Sequence, residues 1–79
     1  MDNQNQNEYL TKDLGEASAL MASGIKFSGL RNGEGFYWFI FNSSASNKIV
    51  NDYWSGDLEV KAKTYFDCMR TLKDRIYSR

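Results

Sequence analysis

Histidine does not occur in this 79-residue chain. Its absence removes the side chain that most often acts as a general base near neutral pH and that commonly binds metal ions. Only one cysteine is present, Cys68, and a thiol without a histidine beside it makes a poor catalytic nucleophile. The carboxylates are scattered, and no glycine-rich phosphate loop precedes a helix. We therefore expect no catalytic residue, no metal and no cofactor, and predict that the protein is not an enzyme.

Net charge is lacking as well, because ten basic residues balance ten acidic ones. Domains that bind nucleic acid through charge alone are usually strongly basic, so that class is disfavoured, while a local basic patch remains open. A single cysteine cannot close an internal disulfide, which is typical of a reducing, cytoplasmic setting. No apolar run is long enough to cross a membrane, and the first residues carry no signal-peptide pattern. We expect a cytoplasmic protein with no membrane partner.

Aromatic side chains are abundant, and they are concentrated in one run. Five of the six residues from Phe36 to Phe41 are aromatic. Successive side chains of a strand point to opposite faces, so Phe36, Trp38 and Ile40 share one face and the residues between them share the other. A small domain usually covers one face of a sheet. The second aromatic face is therefore expected to contact a helix, a second subunit or a ligand.

The remaining patterns predict an α+β domain, in which an antiparallel hairpin or a small three-stranded sheet is packed by three helices in the order α-β-β-α-α. Residues 1–7 are polar and low in complexity and are predicted to be a disordered tail, which leaves 8–79 as the domain. The predicted helices span about residues 12–22, 45–54 and 61–77, and a strand at 25–30 precedes the aromatic strand. Residues 58–60 are predicted to be a short extended piece or an edge strand.

Short-range signals set the limits of these elements. Thr11 is predicted to cap the first helix and Gly24 to end it. Asn32-Gly33 is the strongest hairpin signal, since a two-residue turn needs positive φ at both central positions. Residues 42–44 are predicted to cap the second helix, and Cys68 is expected to be a small buried hydrophobe. An apolar stripe is predicted on the last helix, at Ala62, Tyr65, Phe66, Met69, Leu72 and Ile76.

A longer pattern runs through nearly the whole domain: an opening helix, the aromatic strand, a Tyr-Trp-x-Gly turn and a closing helix. Its residues are Tyr9, Thr11, Asp13, Leu14, Ala17, Leu20, Gly24, Tyr37, Phe39, Phe41, Tyr53, Trp54, Gly56, Val60, Leu72 and Lys73. In order and spacing it resembles a small bacterial and phage family known as a domain of unknown function. Glu16 departs from that pattern, which has an apolar residue there. The resemblance implies a small stand-alone domain, often carried by phages or mobile elements, and implies no activity.

Two features favour nucleic-acid binding. The aromatic run partly resembles the RNP1 strand of RNA-recognition motifs, whose alternating aromatics stack on bases, although Glu34 stands where that motif has a cation and Tyr37 where it has a small residue. Residues 61–79, the C-terminal segment, carry six cations and two anions. Lys63, Arg70 and Lys73 are placed to line one flank of the last helix and are the candidate phosphate-binding residues. A solvated helix face explains the same three residues.

Protein interaction is the competing hypothesis and the one we prefer. Helices would cover one face of the aromatic hairpin and a partner would cover the other. The simplest partner is a second copy, in a homodimer with a two-fold interface centred on Trp38; a host or phage protein is a further partner. Tyr and Trp often anchor interfaces, so Phe36, Tyr37 and Trp38 are the candidate contacts. A nucleotide pocket between subunits is a third alternative, and no motif singles it out.

Overall fold

The computed structural model describes residues 8–42 and 44–77, which form a three-stranded antiparallel sheet and three helices. The strands are β1 (Glu8–Thr11), β2 (Phe27–Asn32) and β3 (Tyr37–Asn42), and the helices are α1 (Leu14–Ala22), α2 (Ser46–Ser55) and α3 (Ala62–Tyr77). The predicted α+β class is confirmed, with the order β-α-β-β-α-α. The predicted tail, residues 1–7, lies outside the described residues. Within the described chain, no helix combines the length and the apolar character that crossing a membrane requires.

The aromatic strand lies at the centre of the sheet, because the strand order is β1-β3-β2. On one side Tyr9 pairs with Phe41, and on the other Leu30 pairs with Phe39. The third strand is thus β1, a four-residue segment that the sequence marks only weakly. Residues 58–60, the predicted edge strand, form no strand. Two strands alone are marginal in water, and β1 supplies the third by pairing with a strand that β2 already holds.

The connection between β2 and β3 corrects the predicted Asn-Gly turn. Asn32 is the last residue of β2, and the connection is a loop over residues 33–36. The Gly33 amide donates to the Phe36 carbonyl at 2.8 Å. Positive φ falls on Gly35, at 84°, and on no residue other than glycine in the described chain. The longer loop prevails because Gly35 accepts the left-handed conformation without the strain that a two-residue turn would impose on Asn32.

Helix α1 begins later than the sequence suggested. Its N-cap is Asp13 rather than Thr11, and the Asp13 carboxylate accepts a hydrogen bond from the Glu16 amide at 2.8 Å. Thr11 instead ends β1, where its hydroxyl accepts from the Asp13 amide at 3.1 Å. Gly24 follows the helix with a φ of 92°, as a helix stop requires.

The N-cap of α2 is Ala45, which makes no side-chain cap bond. Ser43, within the predicted cap, lies outside the described residues.

All three helices pack on one face of the sheet. The core cluster consists of Ala17, Leu20, Phe39, Phe41 and Leu72, each at most 2% exposed. Ile49 and Val50 of α2 pack against the same cluster. Trp38 and Ile40 alternate with Phe39 and Phe41 along β3 and do not belong to the cluster. The opposite face of the sheet therefore carries no helix from the part of the chain that the structure describes.

The apolar stripe predicted on α3 lies only partly in the core. Leu72 is fully buried, and Met69 and Ile76 are half-buried, but Ala62 is exposed and Phe66 is 57% exposed. The predicted stripe is wider than the face that α1 covers, because Phe66 follows Tyr65 by about 100° around the helix. Cys68, predicted to be buried, is half-buried. Burial, followed by the neighbouring Asp67, raises the pKa of its thiol.

Candidate functional site

The sheet face opposite the helices is the first candidate site, and we call it the open face. Pairing across the sheet assigns its members, since residues directly opposite one another share a face: Leu10 pairs with Ile40, and Arg31 with Trp38. Alternation along β1 adds Glu8, and Lys12 continues the same side just after the strand. The open face therefore joins side chains from β1, β2 and β3, and β3 contributes its centre.

The centre of the open face is apolar. Ile40 is 7% exposed, and Leu10 and Trp38 are half-buried. The Phe36 ring stands edge-on to the Trp38 indole, with centroids 5.2 Å apart and planes at 84°, a favourable aromatic geometry. The Lys12 ammonium lies 4.7 Å from the Phe36 centroid and 6.0 Å from that of Trp38. The structure thus brings two predicted contact residues, Phe36 and Trp38, into one cluster under a cation.

An ion pair crosses the same face. Arg31 of β2 and Glu8 of β1 approach to 3.7 Å, with side chains 55% and 31% exposed. Because Arg31 is opposite Trp38 and Glu8 is opposite the end of β3, the pair crosses β3 near Ile40. Ile40 therefore lies in the part of the open face that this ion pair spans. Such an exposed pair contributes little stability, so a partner could displace it at small cost.

Gly33 fixes the position of the Phe36 ring. A Cβ at Gly33 would collide with three carbon atoms of that ring. The ring therefore packs directly against the loop backbone, and only glycine permits this approach. The placement of Phe36 beside Trp38 depends on this loop geometry as well as on alternation along the strand.

Tyr37, the third predicted aromatic contact, lies away from the open face. It lines a cavity of about 370 Å³ at the loop end of the sheet, together with Lys12, Phe36, Lys73 and Tyr77. Among the candidate cations, Lys73 thus lies with two of the candidate aromatics. That these residues bind a ligand stays a prediction.

The other two candidate cations lie elsewhere on α3. The Lys63 ammonium donates to Asp67 at 2.9 Å, one turn along the same helix. The Arg70 guanidinium lies 5.8 Å from the centroid of Phe66. The structure therefore separates Lys63 and Arg70 from the predicted aromatic contacts and leaves Lys73 beside them.

Sequence reasoning missed Leu10, Lys12 and Arg31. All three reach the open face through strand pairing or through the residue that follows β1. The signal was the alternation of Glu8, Leu10 and Lys12, which is too short to distinguish a strand from an irregular segment.

A buried carboxylate connects β1 to α1 on the helix side. Glu16 is 6% exposed and accepts hydrogen bonds from the hydroxyls of Tyr9 and of Thr11, the latter at 2.7 Å. Burial, followed by the hydrogen bond to Glu16, raises the pKa of Tyr9 well above its usual value. The polar residue that departs from the family pattern is thus buried and satisfied, and its role is to hold the edge strand in place.

A second cavity, of about 330 Å³, lies among the helices. Tyr53, Leu58, Val60 and Tyr65 are among its lining residues. The Tyr65 hydroxyl donates to the Gly15 carbonyl at 3.3 Å. The lining is mainly apolar, and none of the described residues that form it is charged. Across residues 8–42 and 44–77, no three Cys, Asp or Glu side chains come together as a metal site.

Comparisons with protein-family models, with curated proteins and with solved structures find no significant match for this chain. The resemblance to the phage-borne family stays a prediction. The open face and the cavity beside it are therefore the two candidate sites.

Proposed function

We propose that this protein is a non-enzymatic interaction module of the phage or mobile-element type, which binds a protein partner through its open face. The first such partner is a second copy of the chain. The observation that supports this is the apolar group of Leu10, Trp38 and Ile40 on a sheet face that no described helix covers. The lone, half-buried Cys68 is in keeping with a cytoplasmic setting.

The charges of the open face support self-association. Glu8 and Lys12 flank Leu10 at equal distances along the chain. A two-fold axis running across the strands through Leu10 and Ile40 would bring Glu8 of each copy near Lys12 of the other. A two-fold interface of this kind uses the same patch on both subunits. The apolar centre and the charged rim are thus compatible with a face-to-face homodimer.

The size of the open face sets the strength of the dimer. It extends roughly 20 Å along β3 and roughly 10 Å between the edge strands. A stable interface usually buries about 800 Å² on each partner, which is more than this face offers. We therefore expect a weak, reversible dimer whose population rises with protein concentration.

Molar mass from light scattering across a concentration series tests the proposal. The expected mass rises towards two chains, is unaffected by a mixed single-stranded oligonucleotide and changes little with salt. Trp38→Ala should keep the mass at one chain. The matched control is Trp54→Ala, because Trp54 is 62% exposed on α2 and lies away from the open face. A mass of one chain at every concentration, or equal losses in the two variants, would contradict the homodimer.

Nucleic-acid binding is the second candidate, and one observation favours it. Lys12 and Arg31 lie beside Phe36 and Trp38 on the open face, which places cations next to aromatic rings as single-strand platforms do. The same light-scattering series distinguishes the two functions. A mass that increases with oligonucleotide only at low salt would favour this candidate, because phosphate contacts weaken steeply as salt rises.

A further inference from the structure

We propose that the cavity at the loop end of the sheet is a binding site for a planar aromatic ring that carries a phosphate. A free nucleoside monophosphate and the 5′-terminal nucleotide of a single strand share this chemistry. The site goes beyond the proposed function, because it shares Lys12 and Phe36 with the open face but opens beside the loop and α3. We call it the lysine–aromatic cavity; its key residues are Lys12, Leu14, Phe36, Tyr37, Lys73 and Tyr77.

The position and size of the cavity suit one small ligand. It lies where three parts of the chain meet: the β2–β3 loop, the start of α1 and the end of α3. Its volume of about 370 Å³ falls at the lower end of the range for small-molecule pockets. A single nucleotide fits this volume, whereas a longer strand would extend into solvent.

The walls of the cavity provide stacking surfaces. Phe36 and Tyr37 contribute half-buried rings, and Tyr77 contributes a ring that is 76% exposed at the rim. Aromatic rings stack on any base because every base has a π-face. Leu14 of α1 adds an aliphatic surface, so a planar apolar group is favoured over a sugar or a peptide.

The charge of the cavity selects an anion. Lys12, between β1 and α1, and Lys73 of α3 both line it, and none of the described lining residues is a carboxylate. The nearest acid along the chain from Lys12 is Asp13, whose carboxylate is bonded to the Glu16 amide at the start of α1. The Lys12 ammonium lies over the Phe36 ring, 4.7 Å from its centroid, so a phosphate held by Lys12 would lie beside the aromatic wall of the cavity.

Calorimetric titration with AMP tests the site, with adenosine and inorganic phosphate as the two halves of the ligand. The expected Kd for AMP is about 0.1–1 mM, and each half should bind about tenfold more weakly. Lys73→Gln should weaken AMP binding by about tenfold, because it removes a charge-assisted contact. The matched control is Lys63→Gln, which makes the same change on the same helix at a lysine bonded to Asp67 and should alter the Kd by less than about twofold.

A second pair of variants tests the stacking wall. Phe36→Leu should weaken AMP binding by about tenfold, whereas Phe66→Leu, which changes a ring 57% exposed on α3, should leave the Kd unchanged. Equal losses in Lys73→Gln and Lys63→Gln would overturn the site in favour of diffuse attraction. The absence of heat at about 5 mM AMP, or adenosine binding as tight as that of AMP, would overturn it as well.

An oligonucleotide arm distinguishes the two sources of the ligand. A pentadeoxyadenylate with a 5′-phosphate should bind like AMP if the site accepts a strand end. AMP binding without pentamer binding supports the site and identifies a free nucleotide as its ligand. A pentamer that binds equally well without its 5′-phosphate, and with Lys73→Gln in place, would overturn the proposal, because the contacts would then lie elsewhere.

Discussion

Phe41 and Trp38 lie three residues apart on β3 but have different surroundings. Phe41 is fully buried and packs with Phe27, whose ring centroid is 5.5 Å away, within the cluster that all three helices cover. Trp38 is half-buried, and its neighbours are Phe36 and the Lys12 ammonium. One face of this strand thus belongs to the core, and the other belongs to the open face, which we propose as the contact surface. Aromatic density alone therefore does not indicate whether a residue of β3 belongs to the core, whereas its position in the alternation along the strand does.

The largest expected effect is on the free energy of unfolding, and it distinguishes the core face of β3 from the open face. Phe41→Ala should lower the free energy of unfolding by about 3–5 kcal/mol, since a fully buried aromatic is lost and a cavity remains. Trp38→Ala should lower it by less than about 1 kcal/mol under conditions where the protein is monomeric. Urea unfolding followed by circular dichroism measures both values.

Phe41→Leu keeps the first test informative if Phe41→Ala does not fold. Its loss should be about 1.5 kcal/mol or less, because most of the apolar volume is retained. A loss for Trp38→Ala as large as that for Phe41→Ala would contradict this distinction between the two faces, since it would make the open face part of the core.

The next effect concerns the buried carboxylate that holds β1. Glu16→Ala removes the acceptor for the Tyr9 and Thr11 hydroxyls and should lower the free energy of unfolding by about 1–3 kcal/mol. Glu59→Ala, at an exposed position outside the helices and strands, is the control and should change it by less than about 0.5 kcal/mol. Equal values in the same urea assay would mean that the hydrogen bonds of Glu16 do not stabilise the fold.

Local patterns predicted most of this fold. Helical periodicity located α3 to within a residue at its start, and the alternation of aromatics assigned Phe39 and Phe41 to the opposite face from Trp38 and Ile40. Both patterns depend on the chain's own geometry, namely 3.6 residues per turn and two residues per pleat. The sequence contains this information wherever the element is long enough to repeat the pattern.

Contacts between distant parts of the chain determine the features that local sequence patterns did not predict. β1 has four residues, too few for alternation to be diagnostic, and its pairing with β3 is what makes it a strand. Gly35 took the positive φ that the pattern assigned to Asn32-Gly33, because the loop closes through Phe36. Lys12 lies beside Phe36 because β1 pairs with β3 and because the β2–β3 loop positions Phe36. Neither of these two contacts can be predicted from the residues next to Lys12 in the sequence.

A smaller loss of stability is expected for a substitution in the loop between β2 and β3. Gly33→Ala places a methyl group against the Phe36 ring, which must then move away from Trp38. We expect a loss of stability of about 1 kcal/mol and a shift in the Trp38 fluorescence, read in a Trp54→Phe background so that the signal has one source. In the double variant Gly33→Ala, Phe36→Ala, the stability lost through Gly33→Ala should be much smaller, because the ring it collides with is gone. An unchanged Trp38 emission in the single variant would show that Phe36 does not depend on Gly33.

The last effect lies on the helix side and appears only at alkaline pH. Burial, followed by the hydrogen bond with Tyr65, raises the pKa of Tyr53 from 10.0 to about 12. The folded state therefore keeps this proton at a pH where the unfolded chain has lost it. The resulting stabilisation is complete below about pH 10 and disappears as the pH rises towards about 12. We expect the stability of the wild type relative to Tyr53→Phe to fall across that interval, measured as the difference in urea midpoints at each pH. Subtracting the variant cancels the titration of the lysines, which both proteins share. A difference that does not change from pH 9 to pH 12 would show that the Tyr53 hydroxyl is solvated in the folded protein, and that the cavity among the helices is as open to water as the open face.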